Sequence, residues 1–217
     1  MSELEPQEEQ RCGRGAPKGA IAAAAVAAAL GAVAFSRTRQ RVRLSAHQQA
    51  LRELAEETGC QFTPAQPNDP QGPDFPTLEG LHRDRQVRLD TEVAGASLGL
   101  RLLTRATARH SAPVPGFVVI REETLTTRMA DHLGLADIQV GEPAFDDRFE
   151  VTSDVPEAAD LLQPEVRDAL MGATFESVVI RPGEVIVRQR GPLTTTAALR
   201  QTLKLAVDIA EWLEPLG

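Results

Sequence analysis

The sequence predicts an α+β fold: an N-terminal transmembrane helix, then an antiparallel-sheet domain packed by helices and closed by a long C-terminal amphipathic helix. Three observations carry this. Residues 77–106 alternate apolar and polar with period two, the mark of half-buried strands. Residues 175–190 alternate again around a Pro182-Gly183 pair. Leu199, Leu203, Ala206, Ala210 and Leu213 then recur at helical 3/4 spacing. Strands in groups, with helices between and after them, make the α+β pattern. The expected organisation is a disordered acidic leader (1–18), a transmembrane helix (19–35), a juxtamembrane helix (36–60), a proline-rich spacer (61–76) and a soluble domain (77–217).

The span rests on length and fencing more than on hydrophobicity. Gly19 to Phe35 is seventeen residues without a charge or a hydrogen-bonding side chain. At ~1.5 Å rise per residue it covers about 26 Å, slightly less than the ~30 Å hydrocarbon core. Ten of the seventeen are Ala. Ile21, Val26, Leu30, Val33 and Phe35 together supply only about −2 kcal/mol of insertion energy. Arg11, Arg14 and Lys18 fence one side, and Arg37, Arg39, Arg41 and Arg43 the other. The larger count after the run favours a cytoplasmic body. The alternative is a signal peptide cut at Ala32-Val33-Ala34, giving an exported soluble protein. Glu3, Glu5, Glu8 and Glu9 are wrong for the basic start such a peptide needs.

Ser45 and Gln48 make a capping-box pattern, so a helix is expected from Ser45, with Gly59 as its C-terminal left-handed residue. Pro64, Pro67, Pro70, Pro73 and Pro76 follow at every third position. Polyproline II has three residues per turn, so this spacing places the rings on one edge. The strip reads as a stiff spacer, or as a docking strip for a protein partner.

Two strands are expected around an Asp84-Arg85 turn, then a third through Leu98, Leu100, Leu102, Thr104 and Ala106. A short strand follows at Phe117 to Ile120. Leu125, Met129 and Leu133 mark a short helix ended by Gly134. Asp154 and Glu157 form a second capping pattern, and Pro164 suits the first position of a helix that Gly172 ends. Pro182-Gly183 suits a type II turn, and the last helix begins near Thr195 or Thr196.

The centre of the domain is GEPAFDDRFEV, Gly141 to Val151. Phe145 and Phe149 are four apart, so one helical turn stacks them. Asp146 and Asp147, with Glu142, form the candidate binding site: carboxylates there would hold a cation or act as acid and base. The competing reading is structural, with an Asp at a turn accepting backbone N–H groups and Arg148 neutralising its neighbours. With Gly141, Glu142, Phe145, Asp146, Phe149 and Val151, the stretch resembles an uncharacterised family of bacterial membrane-anchored proteins. That family pairs an N-terminal anchor with a soluble domain carrying a G-[DE]-x-x-F-D-x-x-F-x-V signature. The resemblance implies an anchor and a soluble domain, and carries over no catalytic residue.

Charge and composition narrow the function. Residues 44–217 hold 27 acidic and 16 basic residues, a net charge of −11. Such a body repels nucleic acid, and with one Trp and no Tyr it has few stacking platforms. Gly95-Ala96-Ser97-Leu98-Gly99 matches a nucleophile elbow, but a strand follows it where an elbow needs a helix. His82-Arg83-Asp84 lacks the rest of a kinase signature. The histidines and Cys60 show no metal-ligand spacing. No cofactor, metal or catalytic residue is expected. The function expected is a protein-interaction or scaffolding domain anchored on the cytoplasmic face, with a hydrolase or metal-dependent enzyme near Asp146, Asp147 or Ser97 as the alternative.

Overall fold

A computed structural model describes residues 42–66, 73–96, 99–122 and 136–214. The apolar run 19–35, Arg37, Arg39 and Arg41, and the helix expected at Leu125 to Leu133 lie outside the described residues. No helix among the described residues is long and apolar enough to cross a membrane.

The compact body starts at Arg43. Helix α1 is described over residues 42–58 and ends at Gly59, whose φ of +72° is the left-handed C-terminal conformation its sequence implies. It is already helical at Val42, so Ser45 lies inside it and caps nothing. Then come β1 (Gln61–Thr63), β2 (Thr77–His82), β3 (Arg85–Ala96), β4 (Gly99–Arg109), β5 (Val118–Glu122), β6 (Ala136–Asp137), α2 (Pro143–Asp146) and β7 (Phe149–Ser153). A 3-10 turn (Pro156–Leu161), α3 (Pro164–Met171), β8 (Ser177–Arg181), β9 (Glu184–Arg190) and α4 (Thr196–Leu213) complete the chain.

The proline-rich stretch is not an extended spacer. β1 pairs antiparallel with β2, Thr63 opposite Thr77, and the Gln66 N–H donates to the Pro73 carbonyl at 2.8 Å. The two ends of the stretch therefore meet, and Pro76 is buried. The β2–β3 turn is Arg83-Asp84, one residue earlier than the sequence suggests, with both φ positive at 53° and 63°. Asp154 caps no helix either; its carboxylate accepts the Phe117 N–H at 2.8 Å.

The strands form one antiparallel sheet in the order β1-β2-β3-β4-β9-β8-β5-β7-β6. One rung crosses seven of them: Leu78, Leu89, Ala106, Val187, Val178, Ile120 and Val151 are successive cross-strand partners. None is more than 1% exposed. Because side chains alternate between faces, this rung fixes an apolar inner face and a polar outer one. α4 lies across the inner face against β3, β4 and β9. Its stripe of Leu199, Leu203, Ala206, Ala210 and Leu213 is buried, as the spacing predicts. The 3-10 turn and α3 add Leu161, Val166 and Leu170 to the same core.

Polar contacts fix how the two long helices run. Thr196 and Arg200 of α4 bond to Glu53 and Glu57 of α1, at 2.7 and 2.5 Å. The Thr195 hydroxyl caps α4 by accepting the Ala198 N–H. The other end of α4 carries Asp208, Glu211 and Glu214, the wrong sign for a helix C-terminus. Arg83 meets Asp208 and Glu211, and Arg85 meets Glu214, so the β2–β3 turn offsets that mismatch.

His47 is fully buried and joins three segments. Its Nδ1 donates to the Leu193 carbonyl at 2.6 Å, and its Nε2 faces the Thr91 hydroxyl on β3 at 3.2 Å. Burial holds the imidazole pKa of His47, and likewise that of buried His110, below 6.5. The unfolded chain thus takes up these protons at higher pH than the folded one. Their contribution is complete above pH 6.5 and is lost as pH falls below it. The urea midpoint is expected to drop between pH 7.5 and 5.5, and His47→Gln to flatten that dependence, with unfolding followed by circular dichroism across the range.

Candidate functional site

The signature turn builds a knot of contacts. Gly141 takes φ +78° and lets the chain bend into α2. Both carboxylate oxygens of Asp146 are engaged, Oδ1 by the Val140 N–H and Oδ2 by the Gly141 N–H, each at 3.0 Å. Glu142 accepts from Arg167 Nε at 2.7 Å, and Arg167 also donates to the Leu162 carbonyl. Phe145 is buried against Phe149, with centroids 4.9 Å apart, and Phe149 stacks on Phe175 at 5.4 Å. Arg148 donates to the carbonyls of Met171 and Ala173 and to Glu122, while its guanidinium sits 4.8 Å over the Phe149 ring.

The knot therefore ties α2 to both ends of α3 and to β5. Asp146 and Glu142 are brought into one turn, but their oxygens are spent on backbone N–H groups and on Arg167. Asp147 ends α2 with an exposed side chain. Among the described residues no group of three His, Cys, Asp or Glu side chains could hold a metal ion. Sequence reasoning assigned Arg148 only to its neighbours and did not find Arg167. The orphan carbonyls that Gly172 leaves at the end of α3 were the available signal for Arg148.

The other concentration of chemistry is the outer face of the sheet. α4 packs on the opposite face, and Arg88, Arg101, Arg109, Arg181 and Arg190 of this one have side chains at least half exposed. Arg88, Asp90 and Glu92 alternate on β3, as the sequence indicates, but their partners come from β2, β4 and β9. Asp90, only 4% exposed, accepts from Arg88 Nε and from Arg105 Nε and Nη2 at 2.6–2.8 Å. That carboxylate raises the Arg105 pKa above its ordinary value. Glu92 meets Arg188 at 2.8 Å, and Glu79 meets Arg88 at 2.5 Å. Glu184 lies between Arg109 and Arg181, and Glu176 between Arg101 and Arg190. Seven arginines thus share five carboxylates. A cleft of about 440 Å³ opens among them, between Arg88, Arg105, Arg109, Arg181 and Glu184.

The remaining sequence candidates separate. Gly95 and Gly99 sit on the paired strands of the β3–β4 hairpin, Gly95 opposite Leu100 and Ala96 opposite Gly99. The strand–turn–helix of a nucleophile elbow is therefore not formed by them; Ser97 itself lies outside the described residues. Pro67 and Pro70 also lie outside. Ala65, Asp74, Phe75 and Pro76 line a second cleft, of about 320 Å³, with Leu44, Gln48 and Arg52 of α1.

No family model and no curated protein matches the chain. Its fold is similar to a solved one. The crystal structure of the mycobacterial trehalose monomycolate transport factor A, TtfA, superposes with a TM-score of 0.55 at 12% sequence identity. The match covers 79% of this chain and 96% of that one. At that identity the likeness is one of fold.

The knot can be tested by separating its two aspartates. Asp146→Ala strands two backbone donors and should cost about 1–3 kcal/mol. Asp147→Ala, on an exposed side chain, should stay within about 0.5 kcal/mol. Paired urea titrations give both numbers.

Proposed function

We propose that this protein is a membrane-anchored binding module. Residues 19–35 hold it in the bilayer, its body lies on the cytoplasmic side, and it engages a protein partner through the open face of the sheet. The observation that supports this is the outer face itself. Across β2, β3, β4, β9 and β8 it carries seven arginines against five carboxylates, on a body whose net charge is −11. Exposed charge of the sign opposite to its surroundings favours encounter with an acidic partner and selects its orientation.

The tether is short. Only seven residues, 36–42, separate the apolar run from the compact body. Even fully extended they reach about 25 Å. An anchored body would thus work close to the bilayer, on partners that also reside there. The fold shared with a transport factor makes a membrane transport assembly the first partner to test.

Location is tested by fractionation with a C-terminal tag. The tagged chain is expected in alkali-washed membranes, with the tag protected in intact cells and digested after lysis. A soluble product would overturn the anchor, and a tag digested in intact cells would overturn the cytoplasmic side. The face is tested by charge removal at its most exposed arginine. Arg190→Gln should weaken in-cell crosslinking to a partner severalfold, without lowering the unfolding free energy by more than about 1 kcal/mol, because Glu176 keeps Arg101. Unchanged crosslinking would exclude that face.

A further inference from the structure

The cleft in the outer face follows from a short alternation on β4. Arg105, Thr107 and Arg109 line it, while Ala106 and Ala108 between them are fully buried on the other face. Two arginines thus stand about 13 Å apart along the strand, with a short threonine between them. The register extends the pattern sideways. Arg88 of β3 is opposite Thr107, which is opposite Ile186 of β9. Arg109 is opposite Glu184, and Glu184 is opposite Arg181 of β8. Thr107 and the buried Ile186 therefore lie at the floor, and four long arginine arms rise around them.

Charge in the cleft is unbalanced. Glu79 and Glu184 line it with the four arginines, and the buried Asp90 accepts from Arg88 and Arg105. One positive charge is left over, on a body whose net charge is −11. The surplus sits with Arg109. The carboxylate it meets among the described residues is Glu184, at 3.6 Å, and Arg181 holds Glu184 more closely, with Nε at 2.5 Å.

Arg88 and Arg105 are oriented rather than spent. Asp90 accepts from Nε of both and from Nη2 of Arg105, and Glu79 meets Nη1 of Arg88. Nη1 of Arg105 has a long contact, 3.7 Å, with Glu92. A guanidinium carries five N–H donors, so each of the two keeps donors for a ligand while Asp90 fixes its plane.

We propose that this cleft binds a phosphate ester, its phosphate held by Arg88, Arg105 and Arg109 over the Thr107 hydroxyl. A phosphate group offers oxygens to several donors at once, where a carboxylate offers two, so a hydroxyl ringed by guanidinium groups suits the phosphate. The volume, about 440 Å³, is that of a small-ligand site and leaves room for the alcohol part of the ester. That ester is either a soluble phosphorylated compound or a lipid headgroup. The site goes beyond the protein partner proposed above and needs neither that partner nor the anchor.

Titration calorimetry on the full chain in phosphatidylcholine nanodiscs tests it, with glycerol 3-phosphate as the probe, glycerol as the control and ionic strength held fixed. Glycerol 3-phosphate should bind once per chain with a dissociation constant on the order of 0.1 mM, and glycerol should not bind. Arg109→Gln should weaken binding roughly tenfold and Thr107→Val roughly threefold. Arg181 keeps Glu184 paired in the first variant. Lys204→Gln, which removes an exposed cation of α4, should leave binding unchanged. Discs containing phosphatidylglycerol separate the two sources: suppressed binding of the free ester assigns the cleft to lipid headgroups, and unchanged binding assigns it to soluble esters. No saturable binding, or binding that either cleft variant leaves intact, overturns the site while the partner face still stands on its own crosslinking test. Equal weakening by Lys204→Gln also overturns it, since overall charge alone would then account for the heat. If Arg109→Gln lowers the urea midpoint, Arg109→Lys replaces it, because it keeps the charge and loses the fork, and weaker binding is again expected.

Discussion

The fold depends on one apolar rung. Leu78, Leu89, Ala106, Val187, Val178, Ile120 and Val151 meet strand by strand across the sheet, and helices seal them from water. Side-chain direction in a strand has period two, so a one-residue slip anywhere would turn arginines and glutamates inward. Burying such charges unpaired costs far more than the fold's net stability. The register therefore decides both faces at once. A single constraint yields a dry side for α4 and α1 and a side where charged groups stand in rows.

What the rows do follows from their distance to water. Asp90, nearly buried between Arg88 and Arg105, has charge-assisted bonds on both oxygens, stronger than exposed pairs. Arg109, Arg181 and Arg190 are more than half exposed, while their partners Glu184 and Glu176 are largely buried. The centre of the face is paired out of solvent, and its rim presents cations to water. The signature turn has the opposite character. Asp146, Glu142, Arg148 and Arg167 direct their charge at backbone groups and at each other, which makes GEPAFDDRFEV a brace between α2, α3 and β5.

Much of this was legible in the chain. The hairpins, the α4 stripe, the Phe145–Phe149 pair and the roles of Gly59, Pro164 and Gly183 follow from local rules of period and backbone freedom. Three local readings failed. Ser45 looks like a cap, yet the helix already runs at Val42. Asp154 looks like a cap, yet it is drawn to Phe117, 37 positions away. The proline spacing looks like an extended strip, yet pairing of β1 with β2 brings the two ends of the stretch together. In the last two cases a contact distant in sequence outweighed the local preference.

By itself the sequence determined the α+β class, the alternation of each strand, the extent of the last helix and the charge balance of the body. These depend on period and composition, which neighbours along the chain set. Only the tertiary structure decided that β9 lies beside β4, that Arg105 and Arg188 answer the acids of β3, that Arg148 closes the end of α3, and that His47 of α1 reaches Thr91 of β3. Each of those joins residues many positions apart, and strand order in a sheet is chosen by packing of the whole core rather than by any local preference.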